Sequence, residues 1–265
     1  MDSFWPWYLL LGAGAGFLAG LLGIGGGLVQ VPLLVFLFGL QQFAPQHVLH
    51  LALGTAMASI LFTSASSVRA HHRHDAVNWG IVRRMAPGIA FGVAVAAIIA
   101  GQLQTRYLAI FFTAFVYFAA TQLILNLRPK ASRTLPGAGG MFTAGALIGG
   151  ISSLVAAGGA LLSVPWMTWC NVRLHEAIGT AAAIGFPIAI AGTIGYIANG
   201  WGEAHLPAGS LGYVYLPALV WLVVASMTTA PLGAKLAHRT STRNLRTLFA
   251  LLLYVLATRM LVTLV

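Results

Sequence analysis

The chain has 265 residues, of which 59% are hydrophobic and only 7% charged, with a formal net charge of +10. That polar content is too small to clothe a water-soluble domain of this size, which excludes soluble enzymes and soluble binding modules and leaves a polytopic membrane protein. The single cysteine, Cys170, excludes an internal disulfide and any multi-cysteine metal site, and reads as a buried apolar residue.

In chain order, the opening MDSFWPWYLLLGAGAG lacks the basic start of a signal peptide and reads as a retained membrane segment, with Trp5, Trp7 and Tyr8 as interfacial anchors. It runs into an apolar block at 7–40 that carries LLGIGGGLVQVPLL, with glycine at 23 and 25–27 and proline at 32. Apolar runs at 48–68, 85–101 and 107–125 follow, each close to the roughly 17–25 residues a helix needs to cross about 30 Å of hydrocarbon. Beyond a polar linker, a second long block at 140–170 holds VAAGGALLSVP, and further spans are predicted at 176–198, 212–233 and 247–265. Gly12, Gly16, Gly20, Gly145 and Gly149 have the small-xxx-small spacing of close helix packing.

The chain repeats itself. LGIGGGLVQVP at 22–32 aligns with VAAGGALLSVP at 155–165 through Gly25/Gly158, Gly26/Gly159, Leu28/Leu161, Val31/Val164 and Pro32/Pro165. HLALGTA at 50–56 aligns with HEAIGTA at 175–181 through His50/His175, Ala52/Ala177, Gly54/Gly179, Thr55/Thr180 and Ala56/Ala181, and TRYL at 105–108 aligns more weakly with TRNL at 242–245. One integral membrane domain therefore divides into a first half at 1–127, a cytoplasmic linker at 128–137 and a second half at 138–265.

Charge orients the halves, because cytoplasmic loops carry the Lys/Arg excess. Arg69, Arg73, Arg83 and Arg84 flank the loop after the first Gly-Thr helix, whereas the matching second-half loop, NGWGEAHLPAGS, has neither Lys nor Arg. Lys235, Arg239, Arg243 and Arg246 likewise oppose a lone Arg106. The halves are predicted to be inverted, with Arg128, Lys130, Arg133 and Arg173 also inside and Arg106 and Arg259 as exceptions. An odd number of crossings per half follows, so each glycine block is expected to be a broken, re-entrant hairpin ahead of three crossing helices. Arms of about 15 residues would carry the breaks ~22 Å deep.

Non-helical backbone at that depth is tolerated only where protein or a cavity meets it, and broken helices are how transporters build a substrate site. The second arm of each hairpin would aim free N–H groups and the positive end of its dipole at the protein centre, an anion-binding arrangement. Pro32 and Pro165 are expected early in those arms, where a missing N–H matters least. The candidate substrate residues are Gly25, Gly26, Gly27, Gln30, Thr55, Ser59, Gly158, Gly159, Ser163 and Thr180. His50, His175, Glu176 and Arg69 are candidates for coupling or gating, the histidines because imidazole titrates near neutrality. The four acidic residues, Asp2, Asp75, Glu176 and Glu203, fall at loops or helix ends, so none is expected in the membrane core to hold a cation. GIGGG has no preceding strand and no acidic residue about twenty positions on, so it is no nucleotide loop. The run His71-His72-Arg73-His74-Asp75 reads as an interfacial basic loop rather than a metal site.

GxGGG with a downstream proline, repeated and followed each time by a Gly-Thr helix, resembles the TauE/SafE family of membrane anion exporters. The likeness spans essentially the whole chain through GIGGGLVQVP, ALGTA, AAGGALLSVP and AIGTA. It implies export of sulfite, sulfoacetate or a related sulfur oxyanion across a bacterial cytoplasmic membrane, with Gly25–Gly27 and Gly158–Gly159 at the substrate. Ala156 and Ala160 stand where the fuller pattern has glycine, and Ala56 and Ala181 where many members have serine. The expectation is a secondary transporter working by alternating access, with an anion channel or an intramembrane hydrolase built on Ser152, Ser153 and His175 as rivals. Expected partners are a small anion and lipid, with protons as a possible coupling ion. No nucleic acid and no cofactor are called for.

Overall fold

The structure, a computed structural model, describes residues 4–22, 26–125, 131–237 and 242–264. Gly23–Gly25, Arg128, Lys130 and Arg239 lie outside the described residues, as do the surroundings of Gly20 and the side chains of Lys235, Arg243 and Arg246. The first half contributes α1 (Trp5–Leu22), α2 (Gly27–Leu40), α3 (Pro45–Arg73), α4 (Trp79–Gln102) and α5 (Thr105–Leu125). The second contributes α6 (Ala138–Leu154), α7 (Ala160–Trp169), α8 (Leu174–Asn199), β1 (Ser210–Leu211), β2 (Val214–Tyr215), α9 (Leu216–Ala237) and α10 (Thr242–Leu264). The protein is an all-α polytopic membrane protein, and among the described residues six helices are long and apolar enough to span a bilayer: α3, α4, α5, α8, α9 and α10.

Local chemistry explains the boundaries. Pro45 opens α3, where its missing N–H is harmless, and the Asn78 side chain caps α4 by accepting from Ile81 N at 3.1 Å. Gln42 and Asn171, each two residues past the end of α2 or α7, take left-handed φ values of 59° and 64° and turn the chain into the next helix.

The two glycine blocks are hairpins. Tyr8 in the first turns of α1 meets the far end of α2, through a hydrogen bond with Gln41 and an edge-on contact with the Phe38 ring. In the second half, Ser132 N and Arg133 N both donate to Trp169 O at 3.2 Å, and the Arg133 guanidinium lies 4.5 Å from the Trp169 ring centroid. Each pair of ends therefore shares one edge of the bundle, and each break lies at the opposite, inner end. α2, with 14 residues, reaches about 21 Å, and α7, with 10, only about 15 Å. The second arm is shorter than the expected 15 residues because the chain turns at Cys170 and Asn171.

The halves interlock by exchange. α1 packs along α9, with Gly12 against Leu222 and Ala225 and Gly16 against Ser226 and Thr229. α6 packs along α4 in the same sense, with Gly145 against Met85 and Gly149 against Ile89. At the centre α3 and α8 run antiparallel, Gly54 facing Tyr196 and Gly192 facing Met57. α5 and α10 do the same, joined by Tyr117–Thr258 and Thr121–Tyr254 hydroxyl contacts. Swapping the halves maps this set of packings onto itself. Leu10, Phe36, Ile98, Leu147, Ile194 and Leu248 stay exposed on the outside, as a lipid-facing surface requires.

Two expectations are corrected. Pro32 and Pro165 are the sixth residues of α2 and α7, about a turn deeper than expected, so each removes one interior helix bond instead of a free N-terminal donor. The span predicted from 212 begins at Leu216, because Gly209 and Gly212 hold φ of 87° and 54° and fold 210–215 into the short β1–β2 hairpin. A Cβ at Gly212 would overlap the Ile197 carbonyl, so the hairpin seats directly on the end of α8.

The seams give a stability test. A Cβ at Gly92 would overlap the Ala146 carbonyl, whereas nothing lies within 4 Å of the same point on Gly14. Gly92→Val should lower the unfolding temperature in detergent by the equivalent of about 1–3 kcal/mol, while Gly14→Ala should be neutral or mildly stabilising. Equal effects in scanning fluorimetry would contradict this packing.

Candidate functional site

The inner ends of the two hairpins touch. A Cβ at Gly27, the first residue of α2, would overlap the carbonyl oxygen of Ala156, in the break between α6 and α7. Only a glycine permits that approach. Ile60 of α3 lies against both breaks: its Cδ1 is 2.9 Å from the position of a Cβ on Gly27, and its Cγ2 is 3.8 Å from that on Gly158. From α8, Gly185 leaves room for the Gly158 carbonyl, which a Cβ there would approach to 2.6 Å.

The second break is held in an unusual backbone. Gly159, the N-cap of α7, has φ 79°, and Ala156 has φ 46°, a left-handed conformation costing a non-glycine residue roughly 1–2 kcal/mol. Ala156 occupies the position aligned with Gly23, so the departure from glycine noted in the sequence falls on a strained residue. Ala157 N donates to Ser152 O at 2.9 Å and closes the end of α6, while Leu162 N and Ser163 N share Gly159 O. Ala160 N and Leu161 N, the first donors of α7, have no partner among the described residues. In α2, Val29 N and Gln30 N both donate to Gly26 O, at 3.2 and 3.0 Å.

Gln30 and Ser163 occupy equivalent places one turn into the second arms. The Gln30 Nε2 donates to Ser59 Oγ at 3.3 Å and stands 3.1 Å from where a Cβ on Gly26 would lie, while Gln30 Oε1 has no partner among the described residues. Ser163 Oγ is likewise buried and has no partner among the described residues; Ile184 of α8 aligns with Ser59 of α3. Gln30, Ser59 and Ser163 are 2%, 0% and 0% exposed, so all three polar side chains are buried. Unpaired buried polar atoms are costly and call for an explanation.

Other predicted residues sit elsewhere. Thr55 Oγ1 accepts from Tyr215 N at 3.0 Å, and Thr180 Oγ1 accepts from Asn78 N at 2.9 Å. Their glycine partners repeat the pattern two residues earlier, since Cβ atoms at Gly54 and Gly179 would overlap the carbonyls of Tyr213 and Ala76. Each Gly-Thr pair thus clamps the turn that follows the other half's Gly-Thr helix. His50 is buried near the start of α3, where Nε2–H donates to Ala100 O at 3.1 Å; its ring stacks 5.1 Å from that of Tyr213. Burial and the nearby Glu203 carboxylate raise the Tyr213 phenol above its ordinary pKa, so it stays protonated beside His47 Nδ1 at 3.3 Å.

His175 and Arg69 are exposed at the opposite end. Half-buried Glu176 accepts from Asn78 Nδ2 at 2.7 Å and lies 3.9 Å from Arg173. By helix rise, His50 stands about 15 Å from Ile60, and His175 as far from Gly185. None of the coupling candidates is brought to the breaks. Gly26, Gly27, Gln30 and Ser59 are brought together at one break and Gly158, Gly159 and Ser163 at the other, with Ile60 against both Gly27 and Gly158; Gly25 lies outside the described residues. Sequence reasoning missed Ile60, Ala156 and Gly185 as contact residues. The alignment of His50 with His175 places Ile60 opposite Gly185, a large-for-small exchange that marks both.

An all-helical polytopic bundle with two helix breaks meeting in its apolar centre has the architecture of a membrane transporter. The family described as "Sulfite exporter TauE/SafE" matches residues 8–260, and the chain belongs to that family. It is 37% identical to a probable membrane transporter protein of Haemophilus influenzae, over 95% of this chain and 96% of that one. A probable membrane transporter protein of Methanocaldococcus jannaschii is 24% identical over 97% and 95%, and one of Bacillus subtilis is 29% identical over 84% and 86%. No solved structure matches it.

The hydroxyls separate two roles. Thr180→Val and Thr55→Val strip an acceptor from a packed backbone N–H and should each destabilise by roughly 1–3 kcal/mol. Ser163→Ala removes no hydrogen bond and should shift stability by less than about 0.5 kcal/mol. Thermal unfolding of the three purified variants checks the order.

Proposed function

We propose that this protein is a secondary transporter that exports a small sulfur-containing anion, sulfite or a related oxyanion, across a bacterial cytoplasmic membrane. The observation that carries the reading is the meeting of two glycine breaks at Ile60, with Gln30 and Ser163 buried beside them and holding unpaired polar atoms. Helix N-termini attract anions through free N–H groups and the dipole, and glycine lets the backbone approach a ligand without a side chain between. Backbone N–H groups would replace part of the anion's hydration shell. Gln30, Ser59 and Ser163 would set its orientation.

The exchange of packings between halves supports an inverted repeat, in which α1–α2 and α6–α7 enter from opposite faces. Such halves can rock about a central site and open it to one side at a time. The burial of Gln30, Ser59 and Ser163 fits the occluded stage of that cycle. The antiparallel α3–α8 pair, clamped by the Gly-Thr contacts, would transmit movement from one turn region to the other. His50 and His175 stand at opposite ends of that pair, each far from the breaks, so neither would carry a proton through the site.

Two measurements test the proposal. In proteoliposomes, wild type should carry sulfite, and Gly27→Ala should abolish flux even where detergent unfolding shows it folded; retained flux would remove the breaks from the pathway. Ala70→Cys and Ala204→Cys, both at exposed positions and built on Cys170→Ala, should label from opposite faces with a membrane-impermeant maleimide. Labelling from the same face would overturn the inverted arrangement.

A further inference from the structure

We propose that this protein forms a twofold homodimer in the membrane, closed across the outer face of α10, where Arg259 of each copy donates to a seam of hydroxyls on the other. The inference does not depend on which anion is carried.

The observation behind it is the depth of one charge. Tyr117 meets Thr258 and Thr121 meets Tyr254, so α5 and α10 are antiparallel neighbours and Arg259 stands level with Val116. α5 has 21 residues and reaches about 31 Å, which matches the hydrocarbon thickness. Val116 lies midway between Arg106 and Asn126, the polar residues at the two ends of that span, so Arg259 is about 15 Å from either surface. It is nevertheless exposed on the outside of the bundle, and its guanidinium has no hydrogen-bond or ion-pair partner among the described residues.

Escape to a surface is blocked by direction. Helical side chains lean toward the N-terminus of their own helix, so Arg259 leans away from the near end of α10 at Leu264 and into the middle of the layer. Lipid phosphates lie at the surfaces, beyond its reach. Ionisable groups at such depth face protein or a water-filled cavity, so a protein surface must cover this side of α10.

A second copy supplies what Arg259 lacks. Exposed Thr121 and Thr258 and half-buried Tyr117 and Tyr254 form the hydroxyl seam at the same depth, with oxygen lone pairs left to accept. At about 100° per residue, Thr258 and Arg259 fall on either side of a line through Val255 and Val262, which are 57% and 79% exposed. A twofold axis along the membrane normal preserves depth. Placed on that line, it sets each Arg259 against the other copy's Thr258 and Tyr117 and keeps the two guanidinium groups apart. Donor meets acceptor twice, which is the self-complementarity of an isologous interface.

The test uses full-length Cys170→Ala protein in liposomes over a series of lipid-to-protein ratios. Val255→Cys and Val262→Cys should each give a disulfide-linked dimer on oxidation with copper phenanthroline, whereas Phe91→Cys and Leu147→Cys, exposed on α4 and α6, should not. Arg259→Leu should stay folded, because no described residue pairs with that side chain, and should weaken dimerisation by about tenfold or more, read by energy transfer between labelled copies on dilution in lipid. Wild type that is monomeric at every ratio, or Arg259→Leu that dimerises as tightly as wild type, would overturn the proposal. Cross-linking through α4 or α6 but not α10 would put the dimer on another face and overturn it too. Val262→Cys cross-linked in native membranes only to a different chain would replace the second copy by another protein.

Discussion

The constraint on which the molecule depends is that peptide groups left outside a helix cannot be left bare in hydrocarbon. Both halves interrupt a helix deep in the bundle, and neither interruption is tolerable alone. The structure resolves this by setting one break against the other, the Ala156 carbonyl on Gly27, with Ile60 closing the space between them. That contact brings the hairpins to the centre, which pushes α3 and α8 into an antiparallel pair and leaves α1 and α6 to find partners in the opposite half.

The same constraint explains why glycine and threonine occur together on the central helices. Gly54 and Gly179 admit a carbonyl, and Thr55 and Thr180 accept the N–H two residues further along the same turn. The turns so held, around Ala76–Asn78 and Tyr213–Tyr215, each belong to the other half. Stability and symmetry are thereby joined in one device, and a movement that opened one end would load the clamp at that end.

The two halves are not equal at the site, and the inequality is chemical. The first offers Gln30 paired with Ser59; the second offers Ser163 with no hydrogen-bond partner among the described residues, and a strained Ala156 where the first half has glycine. A substrate held between them would meet an amide on one side and a hydroxyl on the other. Among the described residues neither side supplies a charged group, so recognition would rest on backbone donors and shape.

Much of this was legible in the chain itself. Apolar length set the six spans, because crossing hydrocarbon demands a minimum run of residues, and the repeated GxGG-to-proline and Gly-Thr segments marked the halves, because each is a local backbone requirement that recurs. Charge asymmetry gave an expectation of their relative orientation. What tertiary structure alone decided is which backbone faces which. Thr55 and Thr180 looked like ligand groups but are spent on Tyr215 and Asn78, while His50 and His175, matched in sequence, ended in different surroundings at opposite ends. Ile60 gained its place between the breaks although nothing local distinguishes it. Those outcomes depend on contacts between residues far apart in the chain, such as Asn78 with Thr180 and Tyr215 with Thr55, which no local pattern encodes.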